Sequence, residues 1–349
     1  MKSSVFTVGC LLMALVVLVS CSPSPTAPTT TSQEKQSTAA ALAPATSKDK
    51  IVFRALTSWP LNTANAEGMK HLAELVNQRG GGQLEIKIQG GPELIPVKEA
   101  IGAISKGVID MFHDNNVNFP IAWAADYLPA SIGVKVWEDK DFLSILDNFH
   151  RKKVNAVLLG GAANSFHFYL VTKKPVTKME DLKGLRIRST GGFSTIAVQT
   201  LGGSPATIAT AEVYTALERG TVDGQFRGIA GLLDYKEYEV VNNVITQGLF
   251  AGNAMFLINQ DVWNKLSPDA QKILKDAVAD THKWGATFCA DTEKSSAKEL
   301  VSKGMKFNTL SDDECARWTT QLRDAGKTWI LKEAGDEVKP LLEIVKKYE

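Results

Sequence analysis

A run of alternating residues, followed at once by a glycine turn, forms the part of this sequence best suited to binding a ligand. Residues 185–188 (Leu-Arg-Ile-Arg) alternate apolar and charged side chains, which is the pattern of a half-buried strand. Gly191 and Gly192 come next and allow a sharp turn with outward-facing backbone N–H groups. Arg188 is therefore predicted at the carboxyl end of a strand, where open α/β sheets bind ligands. The pattern leaves a second interpretation open, in which Arg188 is a surface arginine on an exposed strand face.

A segment that follows this strand and turn has an internal counterpart earlier in the chain. Residues 99–112 align without a gap on residues 212–225, and a glycine and an aspartate occupy equivalent places in both. Each copy is predicted to be a helix that ends at the glycine and leads into a strand. Two unrelated segments with this helix-glycine-strand pattern would also share some of these residues. We expect two similar lobes whose equivalent strand ends face one cleft. In this alignment residues 113–115 of the first lobe lie opposite residues 226–228 of the second.

Helix and strand patterns alternate along most of the chain after residue 50. They predict strands over 51–56, 84–88, 108–111, 156–159, 166–172 and 255–258, and helices over 64–78, from about 97 to Gly107, and over 139–153. Residues 112–135 are predicted to be irregular, and Asn115 there is either a ligand-facing side chain or part of a solvated loop. The order of the elements predicts a two-lobed α/β fold in which each lobe is a mixed sheet flanked by helices.

One predicted helix is longer than a lobe is wide. Ser267-Pro268-Asp269 reads as an N-cap with proline at the first helical position, and the apolar stripe after it continues to about Leu300. At 1.5 Å per residue this helix would span ~45 Å, so we expect it to brace both lobes. The predicted division is 50–165 plus 253–285 for the first lobe and 166–252 plus 286–349 for the second.

The first 49 residues read as an export segment and a tether. Residues 1–21 are predicted to be a signal peptide, because their apolar run is too short for a transmembrane helix. The run ends in Leu-Val-Ser-Cys, which resembles a bacterial lipoprotein signal with Cys21 as the lipidated residue; the alternative is an ordinary signal peptide with a chance cysteine. Residues 22–49, rich in Ser, Thr, Pro and Ala, are predicted to be a flexible tether. We therefore expect an extracytoplasmic protein, lipid-anchored to a bacterial membrane.

Charge and cysteine usage exclude several classes of function. The 39 basic and 38 acidic residues give a net charge of +1, which does not indicate a polyanionic partner, and no basic patch with interleaved aromatic residues points to nucleic acid. The five histidines are scattered without metal-ligand spacing, so no metal site or cofactor is predicted. Cys289 and Cys315 lie in helical patterns and are either a disulfide, which export would permit, or two buried thiols.

Five short segments together resemble the DctP-type solute-binding proteins of TRAP transporters. They are Lys-Pro-Val at 174–176, Glu-Asp-Leu-Lys-Gly-Leu-Arg-Ile-Arg at 180–188, Leu-Gly-Gly at 201–203, Glu-Val-Tyr at 212–214 and Leu-Glu-Arg-Gly-Thr-Val-Asp-Gly-Gln at 217–225. The resemblance covers roughly residues 51–310 and implies a periplasmic-binding-protein-like fold that passes organic acids to a sodium-coupled membrane partner. It also implies that Arg188 pairs with the substrate carboxylate, a role that suits a planar guanidinium. The turns containing Trp59 and Phe193 resemble the 2-oxo-acid-binding branch of the family.

Two positions depart from the family pattern. Many sugar-acid binders in the family carry a second arginine twenty residues before the first, and this chain has Phe168 there. The family usually continues the last strand with Glu-Asn or Glu-Trp, whereas this chain has Phe226-Arg227. We interpret these changes to mean that Arg227 reaches the ligand and that Phe168 and Phe226 make the pocket more apolar. The alternative for Arg227 is a solvated or lobe-bridging arginine, and the missing glutamate removes a carboxylate that could help to hold a metal ion with the ligand.

The resemblance favours a lipid-anchored protein that closes around a small organic acid anion and delivers it to the membrane subunits of a TRAP transporter. A solute-sensing subunit for a membrane signalling protein is one alternative. A secreted enzyme that uses the same cleft is another, but the sequence has no Gly-x-Ser-x-Gly elbow, no dinucleotide-binding glycine motif and no metal-ligand set. Aromatic residues favour an aromatic or branched acid, namely Trp59, Phe168, Phe193 and Phe226. A monomer and a homodimer are both compatible with the sequence.

Overall fold

The computed structural model describes residues 50–115, 120–125, 127–128, 130–162 and 166–349. Residues 48–349 form one structural unit. The predicted signal peptide, Cys21 and the predicted tether at 22–49 lie outside the described residues. In the described part of the chain, no helix is both long enough and apolar enough to cross a lipid bilayer.

The described residues form two sheets and the helices that cover them. The strands are β1 (Ile51–Thr57), β2 (Leu84–Gly90), β3 (Met111–Asp114), β4 (Ala156–Gly161), β5 (Phe166–Thr172), β6 (Arg186–Ser189), β7 (Ser204–Thr207), β8 (Gly224–Arg227), β9 (Asn243–Ile245), β10 (Phe250–Gly252), β11 (Met255–Asn259) and β12 (Lys306–Asn308). The helices are α1 (Glu67–Arg79), α2 (Val97–Ser105), α3 (Ala130–Val136), α4 (Lys140–Val154), α5 (Phe193–Thr200), α6 (Val213–Glu218), α7 (Ile229–Asp234), α8 (Gln260–Asn264), α9 (Pro268–Ser302), α10 (Asp312–Ala334) and α11 (Lys339–Val345).

Each lobe is built on one mixed sheet. The sheet of the first lobe has five strands in the order β2-β1-β3-β11-β4; β1 is parallel to β2 and β3, and β11 is antiparallel to β3 and β4. The sheet of the second lobe has the order β12-β9-β5-β8-β6-β7, with β10 paired to β5. In it β5 is antiparallel to β8, and β6 is parallel to β7 and β8. The predicted two-lobed α/β fold with mixed sheets is confirmed.

Helices cover both faces of the first sheet. Phe53 of β1 is buried in a cluster with Leu72 of α1 and Leu274 of α9. Leu56, further along β1, is buried in a different cluster, with Ile104 of α2. Burial of each such side chain contributes about 1.5–3 kcal/mol. Tertiary packing of this kind stabilises the helices more than their intrinsic propensity does.

The long helix α9 joins the cores of the two lobes. The Ser267 hydroxyl accepts a hydrogen bond from the N–H of Ala270 at 3.3 Å and begins the helix, which then runs for 35 residues. Leu274 near its start is buried in the core of the first lobe, and Leu300 near its end is buried in the core of the second. The prediction that this helix braces both lobes is confirmed.

The C-terminal helices contact both lobes. The Ser311 hydroxyl begins α10 by accepting a hydrogen bond from the N–H of Glu314 at 3.3 Å. α10 packs against α5 of the second lobe and against the 3₁₀ segment Pro120–Ala125 of the first, while α11 packs against α4 of the first lobe. α11, which the sequence-based division assigned to the second lobe, thus contacts a helix of the first.

The third strand begins later than predicted. β3 covers Met111–Asp114 rather than 108–111, and Val108 is exposed. All of β3 is buried, because the strand lies between β1 and β11 in the sheet. Residues 112–135 are thus not irregular throughout: they include most of β3 and, further on, α3. Polar side chains at 113 and 114 suggested a loop because sequence pattern does not reveal a central position in a sheet.

The two aligned copies share a hydrogen-bonding arrangement. In the first lobe the backbone N–H of Arg54 donates to the Asp110 carboxylate at 2.8 Å, and the Arg54 guanidinium donates to the carbonyl of the glycine after α2. In the second lobe the backbone N–H of Arg186 donates to the Asp223 carboxylate at 2.8 Å, and the Arg186 guanidinium donates to the carbonyl of the equivalent glycine. The two glycines have φ of +70° and +71°, which favours glycine. The match found in the sequence therefore corresponds to equivalent local structures.

Cys289 and Cys315 are not joined in a disulfide. Cys289 on α9 is buried, which raises the pKa of its thiol, and Cys315 on α10 is half-buried. Of the two possibilities left open by the sequence, the structure has the pair of thiols rather than the disulfide.

Candidate functional site

A cavity lies between the two lobes, where the carboxyl ends of β1, β3, β6 and β8 meet. Its volume is about 120 Å³, whereas one water molecule needs roughly 10–15 Å³. The first lobe contributes the side chains of Trp59, Asn65, Asn115 and Trp123. The second lobe contributes most of the remaining wall, including Phe166, Phe168, Arg188, Thr190, Thr210, Arg227, Tyr235 and Gly252. The cavity has room for a small organic molecule, and the cationic side chains in its wall both come from the second lobe.

Arg188 projects from β6 into the base of this cavity and is 2% exposed. Its Nε donates a hydrogen bond to the carbonyl of Ile208 at 2.9 Å, and its Nη2 donates to the hydroxyl of Thr210 at 3.0 Å. These neutral acceptors hold the guanidinium in place without neutralising it. Among the residues that the structure describes, none accepts a hydrogen bond from Nη1.

Arg188 is a buried cation without an ion-pair partner in the described part of the chain. Burial and the nearby charge of Arg227 lower the pKa of Arg188 to about 10, while the charge of Glu237 acts in the opposite direction, and the guanidinium remains protonated at neutral pH. A buried charge is costly unless an opposite charge accompanies it. A carboxylate that entered the cavity would supply that charge and could accept a hydrogen bond from Nη1.

Arg227 lies on the same face of the sheet as Arg188. Arg188 pairs with Gln225 in the parallel register of β6 and β8, and Arg227 is two residues further along β8. The Arg227 guanidinium lies 4.3 Å above the ring of Tyr235, and its Nε is 3.0 Å from a carboxylate oxygen of Glu237. The N–H does not point at that oxygen, so the contact is an ion pair rather than a hydrogen bond. Arg227 is buried and paired within the second lobe rather than solvated.

Glu237 has no exposed surface and was not singled out by the sequence. The amide of Gln225 donates a hydrogen bond to its Oε2 at 2.7 Å, the same oxygen that faces Arg227. Burial raises the pKa of Glu237, while the charge of Arg227 acts in the opposite direction. Glu239, two residues on, is exposed and accepts a hydrogen bond from the Tyr214 hydroxyl. Nothing in the local sequence distinguishes these two glutamates.

Phe168 forms an apolar part of the cavity wall. Its ring stacks on that of Phe250, with centroids 5.1 Å apart and planes inclined by 11°. Gly252 on the adjacent β10 makes this position possible, because a Cβ there would lie 2.2 Å from the Phe168 ring. Phe168 therefore gives this part of the cavity an aromatic wall.

Trp59 and Asn115 reach the cavity from the first lobe. Trp59 follows β1 and Asn115 follows β3, and these strands are neighbours in the sheet. The Trp59 ring lies 4.9 Å from the ring of His113, whose Nδ1 is 3.2 Å from the hydroxyl of Thr57. Burial lowers the pKa of His113 to about 3, so its imidazole is neutral at neutral pH. The first-lobe wall thus adds an aromatic surface and an amide without adding a histidine charge.

Phe193 and Phe226, which the sequence suggested as ligand contacts, lie in the core instead of the cavity wall. Phe226 is between Gln225 and Arg227 on β8, so strand alternation points it to the opposite face. It packs against Phe250, with ring centroids 5.1 Å apart. Phe193 at the start of α5 is fully buried and also contacts Phe250, at 5.3 Å. Both residues lie behind the wall that Phe168 forms.

Several cavity residues carried no distinctive sequence signal. They lie in 3₁₀ segments, at the ends of strands and helices or directly beyond them, namely Asn65, Trp123, Phe166, Thr190, Thr210, Tyr235 and Asn253. Thr190 could have been found as the residue that directly follows β6. The others come together only through the packing of the two lobes.

The described residues contain no group of three or more His, Cys, Asp and Glu side chains arranged to hold a metal ion. The buried carboxylate next to the cavity, that of Glu237, faces Arg227 and Gln225. The guanidinium, amide and hydroxyl groups in the aromatic wall form an arrangement that could bind an anion.

Sequence comparison gives a family match over most of the chain. The family described as "Bacterial extracellular solute-binding protein, family 7" (DctP) matches residues 56–332. One similar protein is the C4-dicarboxylate-binding protein DctB of Bacillus subtilis, which is 24% identical over 297 residues. That alignment covers 79% of this chain and 81% of the Bacillus protein.

Solved structures share the fold. A TRAP periplasmic solute-binding protein from Desulfovibrio salexigens with bound orotic acid superimposes with a TM-score of 0.77 at 20% identity, over 86% of this chain and 98% of that one. An extracytoplasmic solute receptor of Bordetella pertussis that binds pyroglutamic acid superimposes with a TM-score of 0.74 at 21% identity, over 85% of this chain and 99% of that one. The TM-scores establish a common fold, and at identities this low they establish the fold alone.

Proposed function

Because this chain belongs to the DctP family of bacterial extracellular solute-binding proteins, we propose that it captures a small organic acid anion between its lobes, pairs the carboxylate with Arg188, and delivers the acid to the membrane subunits of a TRAP transporter. The observation that carries this proposal is the buried charge of Arg188, which has neutral hydrogen-bond acceptors but no carboxylate partner among the described residues. A ligand carboxylate is the counter-ion that this guanidinium lacks.

The position of the cavity supports capture by lobe closure. Arg188 and Phe168 come from the second lobe, and Trp59 and Asn115 come from the first. A ligand that touches all four is bound more tightly when the lobes are together, so it shifts the population toward the closed form. Exclusion of water in that form strengthens the interaction between the guanidinium and the carboxylate.

Relatives support an organic acid as the ligand class. The Bacillus relative is named for C4-dicarboxylates, and the two solved structures hold orotic acid and pyroglutamic acid. All of these compounds are carboxylic acids. Solute-binding proteins of this family hand their ligands on, and we propose that this chain likewise releases its acid unchanged.

The place of the protein in the cell follows from its family and its first residues. The family is extracellular. We propose that lipid attached to Cys21 holds this member at a bacterial membrane and that residues 22–49 act as the tether. This arrangement would keep the cavity close to its transporter while leaving the lobes free to open and close.

Calorimetric titration with a library of carboxylic acids tests the role of Arg188. The variant Arg188→Ala should bind the best acid at least about 30-fold more weakly than the wild type, because truncation of one partner of a buried ion pair costs 2 kcal/mol or more. The matched control is Arg219→Ala, which removes an exposed arginine at the end of α6 and should leave affinity unchanged. Equal binding by Arg188→Ala and wild type would refute the proposal.

A further inference from the structure

The two arginines of the cavity differ in the charges around them. Arg227 has Glu237 as an ion-pair partner at 3.0 Å, whereas Arg188 has hydrogen bonds to a carbonyl and a hydroxyl. Both side chains are largely buried, so bulk water does little to screen either charge. Arg227 is therefore in direct contact with a carboxylate of the protein and Arg188 is not, although the charge of Glu237 also acts on Arg188 from a greater distance.

We infer that Glu237 restricts the cavity to acids with a single carboxylate, and that it does so by neutralising Arg227. This inference rests on the proposed function, because it assumes that Arg188 binds a ligand carboxylate. Glu237 does not appear in the cavity wall itself. It acts from behind Arg227 as a specificity-determining residue.

A second carboxylate near Arg227 acts in the same direction. Asp234, three residues before Glu237, interacts electrostatically with Arg227, although its own Oδ2 accepts a hydrogen bond from the N–H of Ala64. With the carboxylates of Asp234 and Glu237 close by, the part of the cavity next to Arg227 carries no net positive charge. Arg188, which contacts no carboxylate among the described residues, provides the positive charge for a ligand.

A dicarboxylate would place its second charge in unfavourable surroundings. If one carboxylate pairs with Arg188, the other must approach Arg227 and, with it, the negative charge of Glu237. Glu237 has no exposed surface and cannot move its charge into water without disrupting its contacts with Gln225 and Arg227. Like charges brought close together in a buried site repel strongly. The second carboxylate is therefore rejected.

The part of the ligand that lies next to Arg227 should be uncharged. The Arg227 side chain lines the cavity, and its Nε and Nη2 atoms have no hydrogen-bond partner among the described residues. A keto, hydroxyl or amide oxygen could accept a hydrogen bond from it without bringing a charge. The rings of Phe168 and Tyr235 in the same wall favour an apolar or flat body for the rest of the molecule. The inferred ligand class is a monocarboxylic acid with an apolar or planar body and a neutral oxygen away from the carboxylate.

Titration with matched pairs of acids tests this inference on the purified protein. The pairs are propionate with succinate, 2-oxobutyrate with 2-oxoglutarate, and benzoate with terephthalate. The wild type should bind the monocarboxylate of a pair more tightly. Glu237→Gln keeps the size of the side chain and removes its charge, so the ratio of dicarboxylate to monocarboxylate affinity should rise by about tenfold or more. Glu239→Gln, the same change at an exposed site, should leave that ratio unchanged.

A second variant covers the possibility that Glu237→Gln folds poorly. Arg227→Gln combined with Glu237→Gln removes both charges of the pair, and circular dichroism shows whether each variant is folded. The double variant should keep the wild-type preference for monocarboxylates, because it has no surplus charge at that end. A rise in its dicarboxylate ratio equal to that of Glu237→Gln would contradict the inference.

The possible results separate the two proposals. If monocarboxylate binding depends on Arg188 and the ratio changes in Glu237→Gln, both are supported. If the wild type binds acids through Arg188 but prefers the dicarboxylate of each pair, or if Glu237→Gln leaves the ratio unchanged, the inference about Glu237 is wrong and the proposed function stands. If no acid of the wider carboxylic acid library binds to the wild type, both are wrong.

Discussion

The carboxylate of Asp234 in the second lobe accepts a hydrogen bond from the backbone N–H of Ala64 in the first lobe, at 3.1 Å. Ala64 begins the 3₁₀ turn that leads into α1, and the preceding residue, Thr63, makes no side-chain cap. Free N–H groups at a helix start carry partial positive charge and are commonly capped by Asp, Asn, Ser or Thr. Here one lobe caps a helix of the other, so the contact exists only while the lobes are together.

Loss of this cap should weaken ligand binding by favouring the open form. Asp234→Ala removes the acceptor, and Asp234→Asn removes the charge but retains an acceptor. Both variants lose the same charge, so the difference between their ligand affinities measures the effect of the cap alone. A cap of this kind contributes about 1 kcal/mol, so Asp234→Ala should bind the acid about fivefold more weakly than Asp234→Asn. Titration calorimetry measures the difference, and small-angle scattering should show a larger radius of gyration for Asp234→Ala at equal ligand concentration. Identical affinities would mean that the contact does not stabilise closure.

Gly231 on α7 makes room for the Arg227 side chain. A Cβ at this position would lie 2.8 Å from Nε of Arg227. Gly231→Ala should therefore displace the guanidinium from its place between Tyr235 and Glu237, and ligand affinity should fall by about tenfold, equivalent to 1.4 kcal/mol. The variant should remain folded, because the atoms that must move belong to a side chain.

The control for this change is Gly102→Ala, which is also a glycine-to-alanine substitution inside a helix. A Cβ at Gly102 has no atom within 4 Å. Alanine should stabilise α2 by about 0.5–1 kcal/mol relative to glycine and leave ligand affinity unchanged. Thermal melts and titration of both variants provide the comparison. Unchanged affinity in Gly231→Ala would show that the position of Arg227 does not matter for binding.

The buried imidazole of His113 should make the protein less stable in mild acid. Its pKa is about 3 in the folded protein because of burial, and close to 6.5 when exposed. As the pH falls below 6.5, the unfolded chain takes up a proton at this residue and the folded chain does not. His113 therefore lowers the free energy of unfolding as the pH falls from about 6.5 toward 3, by at most about 1.4 kcal/mol per pH unit.

Replacement of His113 by phenylalanine should make the free energy of unfolding depend less steeply on pH. The decrease in slope should correspond to at most one proton taken up on unfolding. Urea denaturation at several pH values between 7 and 5 gives the slope for each protein. Burial also lowers the pKa of His150, so the variant should retain the part of the slope that arises there. Equal slopes for the two proteins would mean that His113 takes up its proton while folded.

Local patterns predicted most of the secondary structure. Capped helix starts and glycines at helix ends identified α1 and α9 within a few residues. Period-two alternation did the same for β1, β5 and β6. Such signals act between residues close in the chain, so they can be read without a partner segment. The same alternation could have excluded Phe226 as a neighbour of the ligand, because Phe226 and Arg227 are consecutive residues of one strand and face opposite sides. β3 was misplaced because its polar residues are buried by strands from elsewhere in the chain.

The sequence by itself determined that Arg188 is at a strand end followed by a glycine turn, and its motifs determined the family. Tertiary structure alone decided which arginine is in contact with a carboxylate. Arg188 and Arg227 are both charged residues near strand ends, and the sequence does not distinguish them in this respect. The fold buries Glu237 beside Arg227 and surrounds Arg188 with neutral oxygens. The reason is physical: the electrostatic balance of a buried group depends on distances between segments that meet only when the chain is folded.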